Sequence, residues 1–225
     1  MSAGNVVQRV LRGQDGKRRT RFHDESGNLV AWDKVYCAPH AFATAAARVL
    51  LRYRPHQPWI SYQGQDRISS LLGPDSSVLE YGSGMSTCWF AHRCKAVLSI
   101  EHDPFWYEVV KQHLMQQKLN NVEYLLRNTS AYCELETLPN HWQQVDFDFV
   151  LVDGICRGAC VSAALDRVKH GGYIYLDNSD RAHTDYQRAR ELLCEAASSH
   201  GTQVTYYTDF VPSSFIVTQG MLVQL

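Results

Sequence analysis

From Ser77 onward the apolar positions fall into short, mostly apolar runs separated by stretches of helical period. Val78–Tyr81, Ala96–Glu101, Val122–Leu126, Phe147–Asp153 and Tyr173–Asp177 are too short for helices and rich in β-branched or aromatic residues, so each reads as a strand covered on both faces. The intervening Ser86–Arg93, Pro104–Lys118, Ala131–Leu138 and Arg157–Lys169 read as helices. Such alternation predicts an α/β fold, a doubly wound and mostly parallel sheet with helices on both faces. After one more helix, Thr184–Ser199, the segments Gln203–Tyr207 and Phe215–Leu225 read as an antiparallel hairpin at the C-terminal sheet edge, joined across Pro212. Upstream, an alanine-rich helix from Pro39 to about Tyr53 is broken by Pro55 and Pro58, and a second, Gln63–Leu72, stops at Gly73-Pro74. The chain thus divides into an arm and N-terminal helical cap (1–58) and an α/β domain (59–225).

A chain of 225 residues with 45% hydrophobic and 20% charged residues can bury one full core. Its net charge of −1 excludes a global field for nucleic acid or membrane, so neither is expected as a partner. A small-molecule acceptor is expected instead, and a homo-oligomer is left open. Charge is nonetheless uneven: Arg9, Arg12, Lys17, Arg18, Arg19 and Arg21 cluster early, followed by Arg48, Arg52 and Arg54. They form either a solvated arm or a basic lip facing an anionic substrate. The seven cysteines are scattered, without a Cys-x-x-Cys pair, which speaks for free thiols in a reducing compartment rather than zinc or disulfides. With no apolar leader and no run of spanning length, a cytoplasmic protein is expected.

The chemistry concentrates at residues 78–87. A buried strand carries Glu80 and runs into Gly82-Ser83-Gly84, a tight loop opening a helix. The next strand ends on Glu101, a spacing suited to a nucleoside whose ribose hydroxyls meet a carboxylate. Asp153 and Asp177 end the fourth and fifth strands, the edge of a doubly wound sheet where ligands bind. A dinucleotide site asks for a third glycine where Thr87 stands, and Glu80 would repel a pyrophosphate. A cofactor carrying a positive sulfur suits that acid better. A nicotinamide oxidoreductase remains one alternative. A catalytically silent binding module of the same fold is another.

At these residues the chain resembles the class I S-adenosylmethionine-dependent methyltransferases, whose fold is Rossmann-like. Leu79-Glu80-Tyr81-Gly82-Ser83-Gly84 is similar to the family's first motif, with Ser86 where many members have a further glycine. Glu101 with His102-Asp103 is similar to the second. Phe147–Gly154 and Gly171–Asn178 are similar to the fourth- and fifth-strand motifs, so the resemblance covers about residues 59–225. It implies S-adenosyl-L-methionine (SAM) as cofactor, held by Glu80, Gly82, Ser83, Gly84, Ser86, Thr87, Glu101, His102 and Asp153, with Asn128 bordering the adenine. The expected reaction is O-methylation of a small hydroxylated metabolite or sugar.

Asp153, Asp177 and Asn178 are similar to the metal set of the magnesium-dependent O-methyltransferases, and two carboxylates with an amide oxygen suit Mg2+ or another hard divalent cation. Where those enzymes carry a lysine, this chain has Cys156 and Arg157. The alternative for Asp177-Asn178 is a turn and helix cap. His183 is a candidate general base, and Asp153 is expected at the catalytic centre. Trp59, Tyr62, Trp89 and Trp106 read more simply as packing than as pocket wall.

Overall fold

The computed structural model describes residues 17–225. Seven strands form one sheet: β1 (Ser77–Tyr81), β2 (Ala96–Glu101), β3 (Val122–Leu126), β4 (Phe147–Val152), β5 (Val168–Leu176), β6 (Val204–Phe210) and β7 (Val217–Gln224). Their order is β3-β2-β1-β4-β5-β7-β6. The first five strands pair in parallel, whereas β7 lies antiparallel between β5 and β6. The chain reverses between β1 and β4, so the ends of β1, β2, β4 and β5 open on one crevice.

Alternate residues along each strand feed two cores. Leu79, Tyr81, Leu98, Ile100, Val150, Val152, Ile174 and Leu176 pack on one side against Cys160, Val161 and Ala164 of α5 (Arg157–Leu165) and Ala189, Leu193 and Ala197 of α6 (Thr184–His200). Val78, Val97, Phe149, Leu151 and Tyr175 pack on the other against Ile68 of α2 (Tyr62–Leu71) and Trp89 and Phe90 of α3 (Met85–Ala91). Each leucine, isoleucine, valine or phenylalanine among them contributes roughly 1.5–3 kcal/mol on burial. Helix α4 (Pro104–Gln116) lies beside α3, with Val110 and Leu114 against Met85 and Cys88. Helix α1 (Ala38–Leu51) packs on the edge hairpin, where Ala38 and Ala41 meet Phe210 and Val217.

Three expectations need correction. The segment 131–138 is not a helix but a run of turns with a single 3-10 turn, Leu135–Thr137. Arg127, just after β3, ties its guanidinium to the carbonyls of Ala131, Glu134 and Thr137 and holds the segment in a turned path rather than a helix. Strand β5 begins at Val168, five residues before Tyr173, so the preceding helix stops at Leu165. The basic cluster is also not simply a solvated arm. Arg9 and Arg12 lie outside the described residues, but Arg18 is buried, donating to the Val217 carbonyl and pairing with Glu25 at 3.3 Å and Asp180 at 3.6 Å. Burying a guanidinium this deeply is tolerable because both partners share its charge.

Candidate functional site

The crevice is a cavity of about 530 Å³, within the range of small-molecule sites. Gly82, Ser83, Glu101, His102 and Asp153 line it, and so does Asn178. Gly82 sits at φ +91°, and a Cβ there would come within 2.5 Å of the Gly154 backbone nitrogen. Two strand-end loops therefore touch backbone to backbone, and glycine alone permits both the dihedral and the contact. Gly84 has an extended φ of −175°. A Cβ at Gly84 would meet nothing nearer than Ser86 Oγ at 3.4 Å, so that side of the loop stays open.

Glu101 organises the crevice wall at the end of β2. Its Oε2 accepts from the Ser83 amide at 3.1 Å and the Ser83 hydroxyl at 2.8 Å. Its Oε1 accepts from the amides of His102 at 2.8 Å and Asp103 at 2.9 Å. Charge-assisted bonds of this kind hold the carboxylate rigidly at the crevice wall. The Ser83 hydroxyl also lies 2.7 Å from Tyr124 Oη, so the phenol can donate to it while it donates to Glu101.

Glu80 lies elsewhere. Strand alternation puts it with Val78 on the α3 side, fully buried beneath the loop, where Ser86, Thr87 and Ser99 donate to it at 2.5, 2.5 and 2.6 Å. Ser86 and Thr87 are thus buried beneath the loop with it, and none of the three lines the crevice. Burial pushes the Glu80 carboxyl up to about 7 despite those three donors, so it is only partly ionised near neutrality. Because the folded value lies above the unfolded one, Glu80 stabilises the fold fully below about pH 4.5, and that contribution is lost as pH rises through 7. Burial raises Asp209 to about 6 and adds to the same slope. Glu80→Gln is expected to flatten the fall in thermal midpoint between pH 5 and 8, a difference on the order of 3 kcal/mol at most. Calorimetric melts at the two pH values check this, and an unchanged slope in the variant would refute the assignment.

At the ends of β4 and β5 Asp153 and Asn178 line the cavity, while Asp177 lies beneath, only 2% exposed, with its Oδ1 lacking a hydrogen-bond partner. Burial, then the neighbouring Asp153, hold the Asp177 carboxyl far above the usual carboxylate range. Burial also raises Asp153, opposed first by Arg157 and then by a hydrogen bond from Asp177. Residues 177–180 form the anticipated turn, with Asn178 in the left-handed region at φ 52°. The cap of α6, however, is His183, whose Nδ1 accepts from the Asp185 amide at 3.3 Å; His183 does not line the crevice. Asn128 caps its own turn, accepting from the Ser130 hydroxyl and the Ala131 amide, also away from the cavity wall.

Sequence reasoning missed several wall residues. Trp106 lines the cavity and donates its indole N–H to the Ser83 carbonyl at 2.8 Å. Phe105, 76% exposed, stands beside it, and Ile155, Arg181 and Tyr186 complete the wall. Arg157 and Arg181 both lie against the Tyr186 ring, at 4.6 and 5.3 Å. The overlooked signal for Phe105 and Trp106 is their place in the first turn of α4, directly after the acid that ends β2.

The donor set does not fit a divalent metal. The Arg157 guanidinium stands among Asp153, Asp177 and Asn178, with Nη2 at 2.9 Å from Asp153 Oδ1 and 3.4 Å from Asn178 Oδ1. Among the described residues, no three His, Cys, Asp or Glu side chains gather as a cation site.

Neither the protein-family models nor the curated proteins give a match to the chain. Solved structures do. One is an O-methyltransferase from Bacillus cereus in complex with SAH, 19% identical, TM-score 0.60, covering 87% of this chain and 93% of that one. The O-methyltransferase TomG from Streptomyces achromogenes, involved in tomaymycin synthesis and in complex with SAM, is 17% identical, TM-score 0.60, covering 86% and 95%. An rRNA methylase from Streptococcus thermophilus is 17% identical, TM-score 0.52, covering 73% and 95%. The chain therefore has the Rossmann-like fold of the class I methyltransferases, antiparallel edge hairpin included, as its strand-end motifs imply.

Proposed function

We propose that the protein is a SAM-dependent methyltransferase acting on a hydroxyl oxygen of a small molecule. The observation that carries this reading is the Glu101 carboxylate at the crevice wall, held against the Gly82-Ser83 turn by the Ser83 amide and hydroxyl. SAM, when bound, supplies an electrophilic methyl group. In this reading Glu101 holds the ribose, and the Gly82-Ser83-Gly84 backbone takes the methionine end. Glu80, Ser86 and Thr87 shape that loop from below rather than touching the ligand. Trp106, Phe105 and Ile155 offer apolar surface and exclude water.

Asp153 borders the acceptor end with its side chain 29% exposed, able to accept a hydroxyl proton or orient the hydroxyl for in-line attack. His183 has its Nδ1 engaged at the helix cap, so the proton-accepting role falls to Asp153 in this proposal. Methyl-labelled SAM offered with a pool of small hydroxylated compounds, and separately with total RNA, tests the small-molecule acceptor. Label is expected in the small-molecule pool; label confined to RNA would contradict the acceptor class.

A further inference from the structure

We propose that Arg157 is the resident cation of this crevice, filling the place between Asp153 and Asn178 that a divalent metal would need. Its Nε donates to the Gly154 carbonyl at 3.0 Å. Nη2 donates to the Asp153 carbonyl and to its Oδ1, each at 2.9 Å, and lies 3.4 Å from Asn178 Oδ1. Nη1 donates to the Asp177 carbonyl. A hard divalent ion held by those two side-chain oxygens would sit within about 2.6 Å of each, which is the ground Nη2 already holds.

The guanidinium is not free to leave. Its side chain is 4% exposed, and withdrawal would orphan the carbonyls of Asp153, Gly154 and Asp177. Its backbone is pinned as well, because the Asp185 carboxylate accepts from the amides of Arg157 and Gly158 at 2.8 and 3.0 Å. An arginine does not lose its proton, so the positive charge is permanent and repels a second cation.

This inference rests on the methyltransferase reading for its consequence. A guanidinium bonded to the protein through its three nitrogens cannot chelate two adjacent acceptor oxygens as a metal does. The acceptor therefore needs one hydroxyl at Asp153, not a chelating pair. Arg157 is a positioning residue that fixes Asp153 and Asn178 in the acceptor wall.

Manganese binding, followed by the electron paramagnetic resonance of the free ion, tests the claim on the whole protein without cofactor. The wild type is expected to bind no stoichiometric Mn2+ at the crevice. Arg157→Ala should bind it at least tenfold more tightly, and Asp153→Asn added to that variant should abolish the gain. Arg157→Lys, which keeps the charge, should behave as wild type, a pattern that a purely structural role would not produce. Should the alanine variant fail to fold, Arg157→Gln takes its place. One equivalent of Mn2+ on the wild type, lost in Asp153→Asn, would overturn the proposal. So would variants without the charge that fold yet gain no Mn2+. Failure to bind SAM would instead sink the methyltransferase reading and leave the manganese result standing.

Discussion

Glu101→Gln should weaken SAM binding by about 100-fold or more, with the fold retained. A glutamine has one acceptor oxygen where the carboxylate has two. Whichever way the amide is turned, its NH2 must face donors: the Ser83 amide and hydroxyl on one side, the His102 and Asp103 amides on the other. In the proposed complex the two ribose hydroxyls donate to the carboxylate, each such charged bond is worth about 1.5–3 kcal/mol, and losing both gives the stated factor. The loop would rearrange to find new partners, and the acceptor position for the ribose would be lost with it. Calorimetric titration of the variant checks this, alongside a melt to show that the fold persists. Binding within a few-fold of wild type would mean that Glu101 only braces the Ser83 loop.

The second large effect separates two glycines that look alike in the sequence. Gly82→Ala is expected to destabilise the protein by about 2–5 kcal/mol, the sum of a left-handed backbone penalty and overpacking. The new methyl would meet Gly154 backbone atoms at 2.5 and 2.6 Å, and those atoms cannot give way without moving the end of β4. Gly84→Ala should melt within a few tenths of a kcal/mol of wild type, since its φ is ordinary and its nearest neighbour stands at 3.4 Å. Its cost should appear instead as weaker cofactor binding, where the methyl intrudes on the open face of the loop. Denaturant unfolding of both variants, paired with titration, makes the test. Equal destabilisation would show that the loop is a structural unit with no side reserved for a ligand.

Much of this architecture is legible in the order of residues because a short, mostly apolar strand leaves a mark that helices do not. The runs Val78–Tyr81, Ala96–Glu101 and Val122–Leu126 are apolar without helical period and bounded by loop residues, and they stand within a residue of the observed strands. Strand β5 was harder, because its first five residues, Val168-Lys169-His170-Gly171-Gly172, are mostly polar or glycine and its apolar part begins only at Tyr173. Segment 131–138 misleads for a different reason. Tyr132, Leu135 and Leu138 are buried at helical spacing, yet the Arg127 side chain just upstream draws three carbonyls of the segment to its guanidinium and holds it as turns.

The crevice was legible as a set of strand ends, not as a set of roles. Glu80 belongs to the motif by position, but strand parity turns it beneath the loop, and parity relative to a particular helix is a tertiary fact. Arg157 stands where the metal-using resemblance has a lysine. That departure was visible in the sequence, whereas the three carbonyls and the carboxylate gathering around its guanidinium were not. Trp106 was read as packing because an aromatic on a helix usually is. Its indole bond to the Ser83 carbonyl comes from the way α4 starts beside the loop, with Asp103 capping the helix by accepting the Trp106 amide at 2.9 Å.

The central claim is that the carboxylate-flanked crevice at the chain reversal seats a sulfonium nucleoside. Isothermal titration of the full chain with SAM, with SAH and with NAD examines it directly. One equivalent of SAM and of SAH should bind in the micromolar range, with no heat from NAD. Binding of NAD, or silence from both SAM and SAH in a folded protein, would contradict it.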